Sequence, residues 1–530
     1  MSEQMPQTSN RSASGGMPHV SIVGAGLAGM TAALRLAQRG YQVELFERGA
    51  YVGGQFGVLE HKGWLHEHCY HMFCNWYHNF WSLVDELGLR DRFLPRPTVK
   101  FLRPGSYPDF KALTNVGAAG YAMQNLCSGL LSMPDMYIYG YSMVDLLSQP
   151  LHYWSYLNRY SVNGFLGTRG YATAAAAREY EEVLAKAFAV APYRTSAISY
   201  QKFLAYGFRQ PEPMMWVLDG NCHERFLAVL VARLHELGVR IHTRHDVTRL
   251  TLDENGRVFA IVYKRVPEDA EYAPHDPDPR GEGHEIERPV DQLILAVPPN
   301  GLAALVDDAL YAADPQLGAV RNLNSVPVGS IDLYFKRRVP GIPAEHVVML
   351  DSTYGLSFVD QSQTWNDWPN RPNTFLNLVA SNFAPLVGLD WHAAMGYILE
   401  DLRRYIPHLD ADDIDYERSY LRNNAGDPIF VNEVGSWASR PEAGTRIANL
   451  FLAGDYCRSV IDVTTIEAAT MTGLLAAETL RLRTRPRDTA PISILEPRAW
   501  PRELLTALKW MGLPYAWAAR WRAGLRELAF

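Results

Sequence analysis

Gly24, Gly26 and Gly29 stand in G-x-G-x-x-G spacing, and Glu47 follows them. Residues of these types, so spaced, can hold a dinucleotide. The first glycine permits a tight turn, the second lets main chain approach a pyrophosphate, and the third lets a helix close on a strand. Amides at the helix start, those of Leu27 and Ala28 among them, then face the phosphates along a favourable dipole. An acid about 20 residues further on accepts a ribose hydroxyl. Glu47 stands there, with Arg48 beside it.

Such a cradle needs a strand, a turn, a helix and a second strand. His19–Val23 is a short apolar run, and residues 31–38 have helix-forming composition with Gly40 at the C-cap position. Residues 41–46 alternate into a second strand that ends at Glu47. A second glycine pair, Gly53 and Gly54, precedes Gln55 and lets backbone pass close to a bound molecule.

The segment after it is dense in aromatics and histidine. His66, His68, His71 and His78 lie among Cys69 and Cys74, but their spacing fits no standard zinc pattern, so no metal is expected. Residues 79–87 have helical spacing and end at Gly88. Between Lys111 and Asp145 the one formal charge is Asp135. That stretch suits the lining of an apolar cavity, a dip into a membrane surface, or a buried helical pair of a cap domain. Residues 148–215 read as helical and aromatic.

Further on, Asn221 with Glu224 suits a helix start. Residues 239–242 read as a strand, and 247–252 with 258–263 as a hairpin through Glu254-Asn255-Gly256. Residues 266–288 read as a polar surface insertion, and 292–297 as an apolar strand stopped by Pro298-Pro299. Residues 450–455 are again an apolar run into Gly454-Asp455. Thr464-x-x-Glu467 fits a capping box, and Ala468, Ala469, Gly473, Ala476 and Ala477 leave room for something to pack closely.

A chain of 530 residues exceeds one ordinary core, so two or more domains are expected. Five scattered cysteines fit no disulfide framework and point to a reducing, cytoplasmic compartment. Residues 1–17 have the composition of a disordered leader, and no apolar run reaches the length of about 18 residues that a spanning helix needs. From Arg481 to Phe530, ten basic residues stand against four acidic ones in a chain of net charge −7. A basic end on an acidic body favours an anionic surface as partner. No nucleic-acid-binding motif accompanies it.

Taken together, GAGLAG, Glu47, Gly53-Gly54, the GNCHERF and VTRL segments, LILAVPP and the late LFLAGDY with IEAATMTG resemble the FAD-dependent amine oxidase / phytoene desaturase superfamily. Within it, Glu67 to Asn79 is similar to a segment of plant-type carotenoid desaturases and hydroxysqualene dehydroxylases. Glu67, His71, Phe73, Tyr77 and Asn79 match, whereas Cys69 and Asn75 replace glycines and Gln55 replaces a frequent arginine.

The resemblance implies an α/β chain with a Rossmann-like FAD-binding domain (GR2-type), a discontinuous α+β substrate domain and a helical C-terminal tail. The FAD domain would be built from residues 18–105, 216–305 and 441–484. The substrate or cap domain would come from 106–215 and 306–440, and the basic, Trp-rich amphipathic tail from 485–530. FAD would be non-covalent, since Cys457 does not match a covalent attachment. Gly24, Gly26, Leu27, Ala28 and Gly29 would hold the pyrophosphate, and Glu47 the ribose. Gly53, Gly54 and Gln55 would pass the flavin or pyrophosphate, Val247 would meet the adenine, and Gly454-Asp455 the ribityl end. Thr465 and Ile466 would lie by the flavin's pyrimidine edge.

Glu67, His71 and Tyr77 are then the candidates for proton handling. A structural reading, in which Glu67 and His71 bond backbone or ribityl groups, stays open beside it. The implied activity is desaturation of an apolar isoprenoid or lipid chain, with quinone or O2 taking the electrons. The Trp- and Arg-bearing tail would lie on a membrane surface or pack on the body. Two other readings stand beside this one: an amine oxidase acting on a soluble amine, and a non-catalytic prenyl-binding protein.

Overall fold

The computed structural model describes residues 18–151, 156–178, 193–268, 281–366, 373–485 and 487–527. The expected leader at 1–17 and residues 269–280 of the expected insertion lie outside them.

Parallel strands covered on both faces are rich in apolar residues, and four largely buried strands with a part-exposed edge strand, Arg240–His242, form one sheet. They are β1 (His19–Val23), β2 (Gln42–Phe46), β3 (Arg240–His242), β4 (Gln292–Leu295) and β5 (Leu450–Leu452). Their order is β3-β2-β1-β4-β5, all parallel. Leu45, Ile22, Ile294 and Phe451 lie side by side across it, each fully buried. Thus segments more than 400 residues apart share one sheet, and the carboxyl ends of its strands share one edge. In open parallel sheets ligands bind at that edge.

Six helices frame the site: α1 (Leu27–Ala37), α2 (His78–Glu86), α3 (Met133–Leu147), α4 (Ala197–Gly207), α5 (Ile466–Thr484) and α6 (Arg502–Glu527). The small residues of α5 have a visible purpose. A Cβ on Gly473 would stand 3.1 Å from the Ala28 carbonyl carbon, so glycine lets α5 lie directly on α1.

A seven-stranded sheet forms the second body, in the order 420–423, 329–335, 374–380, 356–360, 346–349, 98–102, 111–114. The strand Thr98–Leu102, assigned to the first cofactor segment from the sequence, pairs in parallel with His346–Met349 here. The chain therefore crosses between the bodies before Thr98. The polar insertion is also corrected: Glu282–Pro289 is a strand, the third of an antiparallel sheet with His245–Leu252 and Val258–Arg265. Its charged residues are exposed because it is the sheet's outer strand.

The capping box at Thr464 and Glu467 does not form. Thr465 caps α5 through the Ala468 amide, at 3.2 Å. The Glu467 carboxylate accepts instead from the Asn79 amide (3.0 Å), Asn79 Nδ2 (2.6 Å) and the Phe80 amide (2.9 Å). It caps α2, and burial pushes its pKa up to about 8. A tertiary contact has displaced the local one. No helix among the described residues is long and apolar enough to cross a membrane.

Candidate functional site

A single cavity of about 1480 Å³ opens at the carboxyl edge of the parallel sheet and runs into the second body. It exceeds the roughly 300–1,000 Å³ of an ordinary ligand pocket, so it has room for more than one molecule.

Its first lobe follows the strand ends. Gly24 and Gly26 follow β1, Glu47 and Arg48 follow β2, and Ala296 to Gly301 follow β4. Gly454 and Asp455 follow β5. Gly24 holds φ +100°, and its amide donates to the Phe46 carbonyl at 2.8 Å. The Gly53 amide donates to the Ala25 carbonyl at 2.8 Å, which draws the second glycine pair against the first. A Cβ on Gly26 would meet nothing nearer than 3.9 Å and would enter the cavity beside Gly53 and Gly54. This is a cradle that only bare backbone leaves open. Glu47 Oε2 accepts from the Ala25 amide and Oε1 from the Gly49 amide, both at 2.8 Å. Each oxygen keeps a lone pair for a ribose hydroxyl. Burial raises the pKa of Glu47, against those two hydrogen bonds.

Val247 and Thr248 line the same lobe where the strand slips register between Val247 and Arg249. The bulge turns backbone out of the ladder. Thr464, Thr465 and Ile466 line it at the start of α5. Asp455 lines it too. Burial pushes its pKa up to about 6, partly offset by the nearby Arg440 guanidinium. The residue set therefore fits an FAD lying from Val247 to α5. Cys457 is fully buried and does not line the cavity.

The three catalytic candidates separate. His71 and Tyr77 line the main cavity, while Glu67 lines only a small recess behind it. Glu67 accepts from the Cys222 amide at 2.7 Å, and burial lifts its pKa to about 7. His71 meets the Phe56 ring edge-on at 4.9 Å, and burial, with His68 nearby, lowers its pKa to about 3. It is a neutral imidazole at ordinary pH. Burial raises the Tyr77 phenol, which hydrogen-bonds the Thr465 side chain.

The second lobe is apolar. Val99, Phe101, Leu113, Val348 and Val379 of the seven-stranded sheet form its floor. Met136, Tyr137, Met143 and Leu147 of α3 and Tyr200, Phe203 and Leu204 of α4 form its walls. Leu508 and Gly512 of α6 complete it. So the charge-poor stretch before Asp145 lines a cavity. Among the described residues, every charged side chain that lines the cavity (Glu47, Arg48, Asp246, Lys264, Asp427 and Asp455) belongs to the first lobe.

The tail both packs and exposes. Lys509 Nζ meets Asp145 Oδ1 at 2.8 Å, and Tyr137 and Tyr141 donate to the Gly512 and Lys509 carbonyls at 3.2 and 3.1 Å. Its other face leaves Trp510, Met511, Tyr515 and Trp521 more than 60% exposed.

Sequence reasoning missed Asp427. It lines the cavity, takes a hydrogen bond from Gln55 Nε2 at 3.3 Å, and lies 3.8 Å from His68 Nε2. The only signal was a Gly-Asp pair, 426–427, resembling that at 454–455. Asp246 and Lys264 at the far end of the first lobe carried no signal. Among the described residues no group of three or more His, Cys, Asp or Glu could hold a metal ion.

A dinucleotide cradle at the edge of a parallel sheet, joined to a large substrate lobe on a second sheet, defines a two-body FAD oxidoreductase. Residues 27–481 match the family described as flavin containing amine oxidoreductase. The chain belongs to that family. It is 24% identical over 484 residues to a 15-cis-phytoene desaturase of Synechococcus elongatus, covering 88% of this chain and 96% of the relative. It is 23% identical over 514 residues to a zeta-carotene desaturase of Synechocystis, covering 89% and 99%. A solved putrescine oxidase bound to putrescine superposes with a TM-score of 0.61 at 15% identity, over 88% of this chain and 99% of that one. That likeness speaks for the fold alone.

Proposed function

We propose that the enzyme dehydrogenates an apolar isoprenoid or lipid chain at a membrane surface. The observation that carries the reading is the second lobe: among the described residues no charged side chain lines it, while it is continuous with the cofactor cradle. An ammonium substrate would need a carboxylate beside it to replace its water. A hydrocarbon needs only area and shape, and methionine and tyrosine walls give both. The names of the two desaturase relatives favour the same substrate class.

Bound in the first lobe, FAD supplies the acceptance of a hydride from a C–H bond. The protein's own residues do the rest. The lobe aligns the chain and excludes water. A proton must leave the neighbouring carbon as the double bond forms. His71 lines the cavity and is the candidate acceptor. It is a weak base there because burial lowers its pKa to about 3, so it would take the proton only from a carbon made acidic by the departing hydride. Tyr77 orders the same wall through Thr465. Electrons leave afterwards to quinone or O2. Anaerobic mixing tests the reading. Isoprenoid hydrocarbon in liposomes should bleach the visible flavin band while soluble amines leave it unchanged; bleaching by amines alone would sink it.

The exposed aromatic face of α6, among the basic residues of the C-terminal segment, supports a cytoplasmic protein held peripherally on an anionic membrane. Met123 and Leu508 are exposed, at 65% and 41%, and also line the cavity, so its mouth lies beside that face. Replacing Trp510 and Trp521 together by alanine should weaken binding to anionic vesicles, read by flotation, by at least about thirtyfold, since burying a large apolar side chain contributes about 1.5–3 kcal/mol each and about 1.4 kcal/mol is tenfold. Unchanged flotation would remove α6 as the anchor.

A further inference from the structure

Arg440 is fully buried, yet it lines no cavity and matches no motif noted in the sequence. Its guanidinium is spent on one stretch of backbone. Nε donates to the Tyr456 carbonyl at 2.7 Å, and Nη2 to the carbonyls of Asp455 and Cys457 at 3.0 and 2.9 Å. Nη1 pairs with Asp462, which is also buried. The rings of Phe430 and Trp437 flank it at 5.4 and 5.3 Å.

Three successive carbonyls turned onto one cation fix the turn that follows Gly454. They leave the Asp455 carboxylate to its own amide and that of Tyr456, facing the cavity. The Asp462 end reaches the other flavin-side loop. Asn432 Nδ2 donates to Asp462 Oδ1 at 3.4 Å, and Asn432 Oδ1 accepts from the Thr464 amide at 2.8 Å, one residue before the α5 cap. The same unit extends to α4, whose Tyr200, Phe203 and Leu204 wall the second lobe. From α4, Ser199 donates to Asp462 Oδ2 at 3.1 Å, and Lys202 and Tyr206 donate to the Val460 carbonyl, both at 3.2 Å.

We propose that Arg440 is a positioning residue which, with Asp462, locks the turn 455–457 and the loop 460–465 into one frame holding the flavin end of the cofactor. The proposal rests on FAD binding and not on the substrate reading. Lysine keeps the charge but not the planar fork, so it cannot serve three carbonyls and a carboxylate together.

The test uses the full-length chain. Arg440→Lys should weaken FAD binding by about tenfold, the scale of one or two lost charge-assisted hydrogen bonds. It should also alter the flavin midpoint potential. Asp332→Asn is the control, because Asp332 forms an equally buried pair with His66 Nδ1 at 2.7 Å and lines no part of the cavity. It should lower thermal stability while leaving FAD affinity and potential unchanged. If Arg440→Lys does not fold, Asp462→Asn replaces it under the same criteria. Wild-type affinity and potential in the Arg440 or Asp462 variant would overturn the proposal, as would an equal loss of FAD affinity in Asp332→Asn.

Discussion

Gly24→Ala should purify colourless. The residue sits at φ +100°, where an L side chain is strained by roughly 1–3 kcal/mol. Strain of that size is survivable in a chain this long; the steric term is not. The new Cβ would stand 2.8 Å from the Ala296 carbonyl carbon and closer still to its oxygen. Neither partner can yield. The Ala296 amide is bonded to the Val23 carbonyl at 2.7 Å, and the Gly24 amide to Phe46 at 2.8 Å, so the clash falls where β1, β2 and β4 are tied together. The turn must leave its position, and the amides that follow at Leu27 and Ala28 go with it. Flavin content per mole should fall by more than about tenfold, equal to about 1.4 kcal/mol of binding. Visible absorbance of the purified protein, followed by titration with FAD, measures it. Gly26→Ala is the informative companion. Its φ of −71° is ordinary and its Cβ has no clash. It should fold as well as wild type and lose FAD only because a methyl group occupies the cradle. A yellow Gly24→Ala protein would mean that this turn does not hold the cofactor.

The contrast shows which features a sequence can reveal. Gly24, Gly26 and Gly29 are legible because their demands are local: a sterically restricted turn between a strand and a helix. The strands β1, β4 and β5 are legible because burial on both faces leaves a short, mostly apolar run, and β2 is legible by its alternation up to Glu47. Features decided by remote partners are not. Thr464 and Glu467 have the spacing of a capping box, yet Glu467 caps α2, because the Asn79 and Phe80 amides and the Asn79 side chain, 387–388 positions away in the chain, donate to it. Glu67 and His71 are four residues apart and looked like one chemical unit. The β-hairpin pairing of Val58–His61 with Trp64–Glu67 directs Glu67 into the recess by Cys222, while His71 reaches the cavity. Arg440 was silent for the same reason. A buried cation is recognised by the carbonyls around it, and these lie 15–17 positions along the chain.

Gly140→Trp should separate cofactor from substrate. Gly140 lies in the middle of α3, is exposed, and lines the cavity near its mouth. A Cβ there would meet no heavy atom within 4 Å, so the indole has space to enter. Helix propensity favours the change, since glycine is worse than tryptophan in a helix interior by a few tenths of a kcal/mol. The variant should therefore melt at or slightly above the wild-type temperature and remain yellow. The apolar lobe is what changes. A tryptophan side chain buries about 150–250 Å², and placed across the mouth it would occupy the route of an extended chain. Reduction of the flavin by an isoprenoid in liposomes should slow by more than about tenfold, mainly through a higher KM, because the loss is one of binding area and not of chemistry. Reduction by dithionite, which needs no lobe, should proceed at the wild-type rate. If the isoprenoid still reduces the flavin at full rate, the lobe between α3, α4 and α6 is not the substrate's path.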